Sequence, residues 1–578
     1  MYLHKLLTAP ATKTFNHIVF WFSLSLTFAA IYGLLGLQIA FSSEYVVQDD
    51  ARQHVFWMRR FLDPSLFPND WIADYFQSVA PLGYSTLYRL FATVGIDPIL
   101  LSKFLPIVLG LITTAYCFGI CLQLLPVPMA GFIASLLLNQ YLWLRDDLVS
   151  GTAVAFIYPF FTAFLYYLLR RSLLGVCVAI ALLGLFYPQA VFICAGILIL
   201  QLLHWKNKRP YLSQNKRDYL FCGISLFVAL LVLSIYALKS SKYGPVITAA
   251  EAKTMLEFGP NGLSKFFIPN LGDYWFTGQR SGIMPKFGTV VPLLLALALP
   301  LLLLLFPLLF PLLKQLTKVR ILLQITLASL GMFFMAHALL FKLHLPSRYT
   351  EHSLRIVTAL AGGIALTVML DSLFLWARAR RQKAKDKTLK ERQRLALGLA
   401  TLLLTALVIH PVFFKEFPKT DYAVGQAPAL YKFFAQQPKD ILIASLTAET
   451  VNLPSFTKRS ILVGGTGFPV PYHKGYYAEI RKRTIDLIEA QYSSDLNQVQ
   501  SFIQKYGVDF WLVEHSAFAP NYLADSSWIS QYQPAANEAI NQLQQGNIPA
   551  LVTLKERCAV FNTGNFVVLQ ASCIVASP

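Results

Sequence analysis

Charge is scarce in this chain. Of 578 residues, 30 are Asp or Glu and 49 are Lys or Arg, so 14% are charged against 56% hydrophobic. A soluble globular protein carries about a quarter charged residues. That deficit excludes a soluble architecture and implies an α-helical polytopic membrane protein. Common catalytic signatures are missing as well. There is no GxxxxGK(S/T), no HExxH, no GxSxG and no metal-type spacing of Cys and His. ATP use and a nucleotide cofactor are therefore not expected. A typical cleaved leader is missing too, because the first apolar run is too long for a signal-peptide core. It reads as a retained first span. The formal net charge of +19 does not imply a nucleic-acid partner, because the basic residues sit in short loops between apolar runs, as the positive-inside rule requires.

What is present is apolar length. About eleven segments qualify: 17–40, 98–125, 128–144, 151–169, 173–186, 188–203, 219–238, 290–313, 321–341, 353–376 and 395–414. The stretch 173–203 exceeds one ordinary span and is broken by Tyr187-Pro188. Arg170-Arg171 precedes it and Lys206 to Arg209 follow it. If both basic clusters are cytoplasmic, the chain turns back near Tyr187 as two short helices, whose exposed backbone must be covered by protein or line a cavity. Lys5, Lys13, Lys314, Lys318, Arg320 and the run Arg378–Arg394, with nine basic and two acidic residues, fall on the same predicted side. The loop 42–97 carries seven Asp/Glu against four Arg and is predicted to face outward. The Arg378–Arg394 run reads as a solvated helix touching anionic headgroups.

Chemistry concentrates in three outer elements. Asp49 and Asp50 follow the first span and open a stretch, 51–62, that reads as an amphipathic helix ended by Asp63-Pro64. Paired carboxylates beside a membrane are expensive to place and mark function. Asp50 and His54 share a helical face. Capping by Asp49 accounts for one carboxylate but not both, and His54 reads equally as a structural partner. Arg145, Asp146 and Asp147 close the third span. They read either as a loop-anchoring ion pair or as a second acidic site able to share a divalent cation with the first, through Asp50 and Asp147. Tyr158-Pro159 and Tyr187-Pro188, in the same half, read as kinks. The loop 344–355 brings Arg348, His352 and Arg355 to an outer membrane edge against the positive-inside trend. It reads as a phosphate-binding site or as snorkelling to headgroups. Trp71, Tyr75, Phe76, Tyr84 and Tyr88 read as sugar- or polyprenyl-stacking groups or as an interfacial belt.

Hydropathy falls after residue 414. Residues 415–578 read as one outer α/β domain, with strands at 441–445, 460–464 and 508–513 and helices at 483–491 and 495–506. Of seven cysteines, five lie in apolar spans as small hydrophobes. Cys558 and Cys573 flank a polar turn, and an outer location favours a disulfide between them.

This layout resembles the GT-C-type membrane glycosyltransferases, the class of oligosaccharyltransferases, protein mannosyltransferases and aminoarabinose transferases. The resemblance rests on Asp49-Asp50 after span one in a long outer loop, on Asp146 and Asp147 after span three, and on the outer C-terminal domain with Arg459-Ser460, Tyr476-Tyr477 and Tyr506 to Phe510. No WWD-like acceptor motif is present, which argues against transfer to protein asparagine. The resemblance implies a GT-C-like membrane domain over 1–414 in a bacterial-type inner membrane. It implies transfer of a sugar from a polyprenyl-phosphate donor to a glycan, lipid or protein acceptor at the outer face. It implies that Arg348 or Arg355, or else a bound divalent cation (Mg or Mn), stabilises the departing phosphate. A transporter, flippase or assembly factor for a surface polysaccharide, or a non-catalytic lipid-glycan-binding relative, fits the same layout.

Overall fold

Each of the apolar segments contains a helix. The computed structural model describes residues 4, 7–10, 15–206, 209–284, 290–305, 310–378 and 386–578. Lys5, Lys13, Asn207-Lys208 and residues 379–385 of the basic run lie outside them, as do the side chains of 386–390. Among the described residues, six helices are long and apolar enough to cross a membrane: Asn16–Ala40, Pro98–Leu124, Lys216–Ala237, Arg320–Ala338, Pro346–Arg378 and Glu391–Phe413. Length and composition thus support six of the eleven expected spans and leave the full count unconfirmed. Four of the other helices, Ala153–Leu169, Leu173–Phe186, Gln189–Gln201 and Val291–Leu304, are apolar but shorter. Pro128–Trp143 is buried along all its residues. A helix apolar all round belongs in a core; of its two side-chain amides, Asn139 Nδ2 donates to Thr114 Oγ1 and Gln140 Nε2 to Leu407 O, each at 2.8 Å.

Helices Leu173–Phe186 and Gln189–Gln201 break at Tyr187-Pro188, because Pro188 cannot donate to a continuing helix. Their outer ends carry the basic clusters to one end of the bundle. There Lys318 Nζ donates to Leu169 O at 2.6 Å and Arg320 to Leu200 O at 3.3 Å. Arg171 pairs with Asp218 at 3.1 Å. The acidic elements sit at the other end.

The first loop departs from expectation. In place of one helix over 51–62, a helix spans Asp49–His54 and a 3-10 turn spans Phe56–Phe61. Its N-cap is Gln48, whose side chain accepts from Ala51 N at 3.1 Å. Asp49 is therefore not the cap; its carboxylate pairs with Arg52.

Strand β1 (Val46–Gln48) pairs antiparallel with β2 (Tyr422–Val424), Val46 opposite Val424 and Gln48 opposite Tyr422. The chain after the last long helix is thereby knitted into the first loop. Beyond it, β3 (Leu442–Ser445), β4 (Ser460–Ile461), β5 (Phe510–Glu514), β6 (Ala559–Asn562) and β7 (Phe566–Gln570) form one five-stranded sheet in the order β4-β3-β5-β7-β6. The β4-β3-β5 pairs are parallel and the hairpin pairs antiparallel. Helices Lys474–Tyr492 and Leu496–Tyr506 connect β4 to β5, which is the α/β alternation expected of a crossover. Strand β4 is shorter than expected.

Cys558 and Cys573 are bonded, with Cα atoms 5.5 Å apart, and the bond closes a loop of sequence separation 15 around the β6–β7 hairpin. A loop of this length contributes about 3 kcal/mol by restricting the unfolded chain. Replacing both cysteines by serine should lower the stability of this region by that amount, read by equilibrium unfolding of non-reduced protein. Unchanged stability would show that the hairpin needs no clamp.

Candidate functional site

A cavity of about 530 Å³ opens where the helix ends remote from the basic clusters meet the first loop and the C-terminal region. Asp50 and His54 line it from the Asp49–His54 helix, and Tyr75, Phe76 and Tyr84 from the rest of the first loop. Tyr187 reaches it from the Pro188 break, and Arg348 from the turn before the Glu351–Arg378 helix. The break that the apolar run forced is therefore a wall of the cavity.

The opposite wall is built on a buried ion network. Asp147 begins the first turn of a short helix, Asp146–Val149. The chain reverses at Gly151, whose φ of +61° suits glycine; a Cβ there would meet Ser102 O at 2.7 Å. Arg355, 4% exposed, donates from Nη1 to Asp147 Oδ2 and to the Tyr158 hydroxyl, each at 2.6 Å. Its Nη2 binds Glu351, one turn earlier. Tyr158 is also 2.8 Å from His352 Nδ1. Arg348 Nη1 stands 3.6 Å from both Asp147 Oδ1 and Glu351 Oε2. Two guanidiniums and two carboxylates thus close on each other. Burial alone would raise the Asp147 carboxyl, but Arg355, His352 and Arg348 outweigh it and hold the group well below the usual range.

Asp50 and Asp146 are in the reverse situation. Neither carboxylate makes an ion pair or side-chain hydrogen bond among the described residues. Burial, then Asp146, Asp49 and Asp147, push the Asp50 carboxyl up to about 7, against a smaller opposing pull from Arg348. Burial, Asp147 and Asp421 raise Asp146 in the same way. Asp421 is brought in by the β1–β2 pairing, where Asp49 N donates to its carbonyl at 3.1 Å.

The sequence-predicted residues therefore separate. Asp50, His54 and Arg348 face the cavity. Arg355, His352 and Asp147 lie behind it in the network, and Asp49 is tied to Arg52. Arg145 forms no ion pair among the described residues, so the expected Arg145–Asp pair is replaced by Asp147–Arg355. His54 makes no hydrogen bond to Asp50. Burial pushes its imidazole down to about 4, and it packs edge-on against Phe76, ring centres 5.1 Å apart. Of the aromatics, Trp71 packs on Tyr243, and Tyr88 donates to Gly151 O at 2.8 Å. Among the described residues no three His, Cys, Asp or Glu are grouped to hold a metal ion. Asp147, committed to two arginines, does not suit the shared cation expected of it.

Sequence reasoning missed Glu351, although its spacing of four from Arg355 is the helical ion-pair spacing. It missed Arg280 and His473, which line the cavity from distant segments and carry no local signal.

No family model matches the chain and no curated protein matches it. Solved structures do. The chain is similar to the apo oligosaccharyltransferase of Archaeoglobus fulgidus at 12% identity, with a TM-score of 0.50, over 89% of this chain and 72% of that one. It is similar at 12% identity, with a TM-score of 0.51 and the same coverage, to oligosaccharyltransferase AglB from Archaeoglobus fulgidus in complex with an inhibitory peptide and a dolichol-phosphate. The fold is that of the GT-C class.

Asp146 and Asp147 should respond oppositely to loss of charge. Asp147→Asn leaves the buried Arg355 guanidinium under-neutralised and should cost about 3–5 kcal/mol of unfolding free energy. Asp146→Asn removes like-charge repulsion and should be neutral or stabilising. Equal losses in detergent-solubilised protein would refute this division.

Proposed function

We propose that this protein is a membrane glycosyltransferase that moves a sugar from a polyprenyl-phosphate-type donor to an acceptor at the outer face of the membrane. The observation that carries the reading is the unpaired Asp50 carboxylate in a cavity that it shares with Arg348, at the helix ends remote from the basic clusters. The GT-C fold, and the dolichol-phosphate held by the similar oligosaccharyltransferase, support it. Residues 1–414 form the membrane domain. The loop 42–97 and an α/β domain over 415–578 lie outside, and the N-terminus and the Arg378–Arg394 segment lie in the cytoplasm.

The donor's sugar–phosphate group sits in the cavity with its lipid between the helices. Asp50 takes the proton of the acceptor nucleophile, which attacks the anomeric carbon. The bond from that carbon to the phosphate oxygen breaks, and its electron pair leaves on the phosphate. A single displacement of this kind inverts the configuration. Arg348 stabilises the departing phosphate, and Arg355, which does not reach the cavity, holds the network that aims Arg348. Asp50 and Asp146, which form no ion pair among the described residues, would hold a divalent cation. When bound, it would offset phosphate charge. His54 is a wall of the cavity rather than an acid or base.

Asp50→Asn keeps size and hydrogen bonding but removes basicity. Sugar transfer from a polyprenyl-linked donor should fall about 10²-fold or more, while Asp49→Asn, which breaks only the Arg52 pair, should cost far less. Near-normal transfer by both variants, with the fold retained, would leave a lipid-glycan-binding protein without turnover.

The orientation has its own check. In intact cells, a membrane-impermeant thiol reagent should label an Asn547→Cys variant and spare a Lys390→Cys variant. Labelling of position 390 from outside would overturn the topology.

A further inference from the structure

Of the two arginines that line the cavity, Arg348 and Arg280, only Arg348 has a carboxylate partner among the described residues. Arg348 and Arg355 are matched by Asp147 and Glu351. Asp50, on the same cavity, adds a further carboxylate and no cation. Arg280 also lines the cavity, and among the described residues it forms no ion pair. One hydrogen bond, from Nη2 to Leu263 O at 3.3 Å, engages its guanidinium. Its Nε is buried without a partner. A guanidinium with most of its donors unengaged has the fork geometry that suits phosphate oxygens.

Its placement is built rather than accidental. Arg280 belongs to a strap, 239–284, that follows the Lys216–Ala237 helix and gives the cavity this one lining residue. The strap is bonded to the membrane side, where Ser347 N donates to Arg280 O at 3.3 Å and Ser347 Oγ to Gln279 O at 3.0 Å. It is bonded to the C-terminal side, where Ile247 N donates to Tyr472 O at 2.9 Å and Gly475 N to Tyr243 O at 2.8 Å. Arg280 is thus held one residue-pair away from Arg348, through Ser347. His344, between them, feels both: burial, then Arg348, Arg280 and His473, push its imidazole down to about 3. No carboxylate opposes them there.

Resting on the transferase reading, we propose that Arg280 is a second anion-binding residue of the cavity, and that with Arg348 it selects a donor carrying two phosphates, a polyprenyl diphosphate sugar, over a monophosphate. Arg348 holds the phosphate next to the sugar. Arg280 and the neutral His344 take the second phosphate, the one nearer the lipid. Two guanidinium forks bracket a diphosphate better than either brackets one phosphate.

The test is binding of undecaprenyl phosphate and undecaprenyl diphosphate to the full chain in lipid nanodiscs. Wild type should bind the diphosphate more tightly. Arg280→Gln should weaken diphosphate binding by about 10- to 100-fold, the worth of hydrogen bonds to a charged group, and leave monophosphate binding little changed. Arg348→Gln should weaken both. Arg280→Lys, which keeps the charge and the strap but loses the fork, should fall between and guards against a misfolded glutamine variant. If wild type binds both lipids and the Arg280 variants lower both affinities equally or neither, the second site is wrong and the transferase reading stands. If wild type binds neither lipid, the transferase reading falls and this inference with it.

Discussion

One buried guanidinium organises the outer half of this molecule. Arg355 lies on a membrane-spanning helix, where a lone charge costs several kcal/mol. It is tolerated because Asp147, Glu351 and Tyr158 close around it. Those contacts pin the turn after the Pro128–Trp143 helix to the start of the Glu351–Arg378 helix. They also consume Asp147, so the neighbouring Asp146 is left unpaired beside Asp50. The same pairing holds Arg348 by one nitrogen and leaves the rest of its fork to the cavity.

The result is a site with its charges divided rather than cancelled. Among the described residues the Asp50 carboxylate, on the first loop, has no counter-ion, and most donors of Arg280, on the strap, have no acceptor. In a poorly hydrated cleft both cost free energy in the empty protein. In the transferase reading proposed above, the donor phosphate meets the guanidiniums and the acceptor nucleophile meets Asp50, so that binding energy is directed to charge development.

The position of Asp50 depends on residues far along the chain. Its helix is held by the β1–β2 pairing on one side. On the other, Arg52 donates to Asn452 at 2.7 Å. Gly467 packs so closely on Gln53 that a Cβ would lie 2.0 Å from its amide. Tyr75 stacks on Tyr476, ring centres 3.6 Å apart. The C-terminal region is therefore part of the site's frame and not an appendage to a membrane core.

Much of this was legible in the sequence. Apolar run lengths, the Tyr187-Pro188 break, the basic loops and the α/β alternation near 441–513 are local patterns whose physics acts over one helix or strand. They identified the helical membrane class, the turn that lines the cavity, and Asp50 and Arg348 as residues of interest. Which carboxylate is neutralised was not legible. Asp146 and Asp147 are adjacent and chemically identical in sequence, and Asp147–Arg355 is a contact across 208 residues. The cap at Gln48 and the convergence of Arg280 and His473 likewise depend on packing between distant segments. The sequence by itself determined which segments are apolar and where charge is concentrated, because hydrophobic burial and helical periodicity are properties of neighbours along the chain. Only the tertiary structure decided which charges meet, because an ion pair's strength depends on a few ångströms of separation and on exclusion from water.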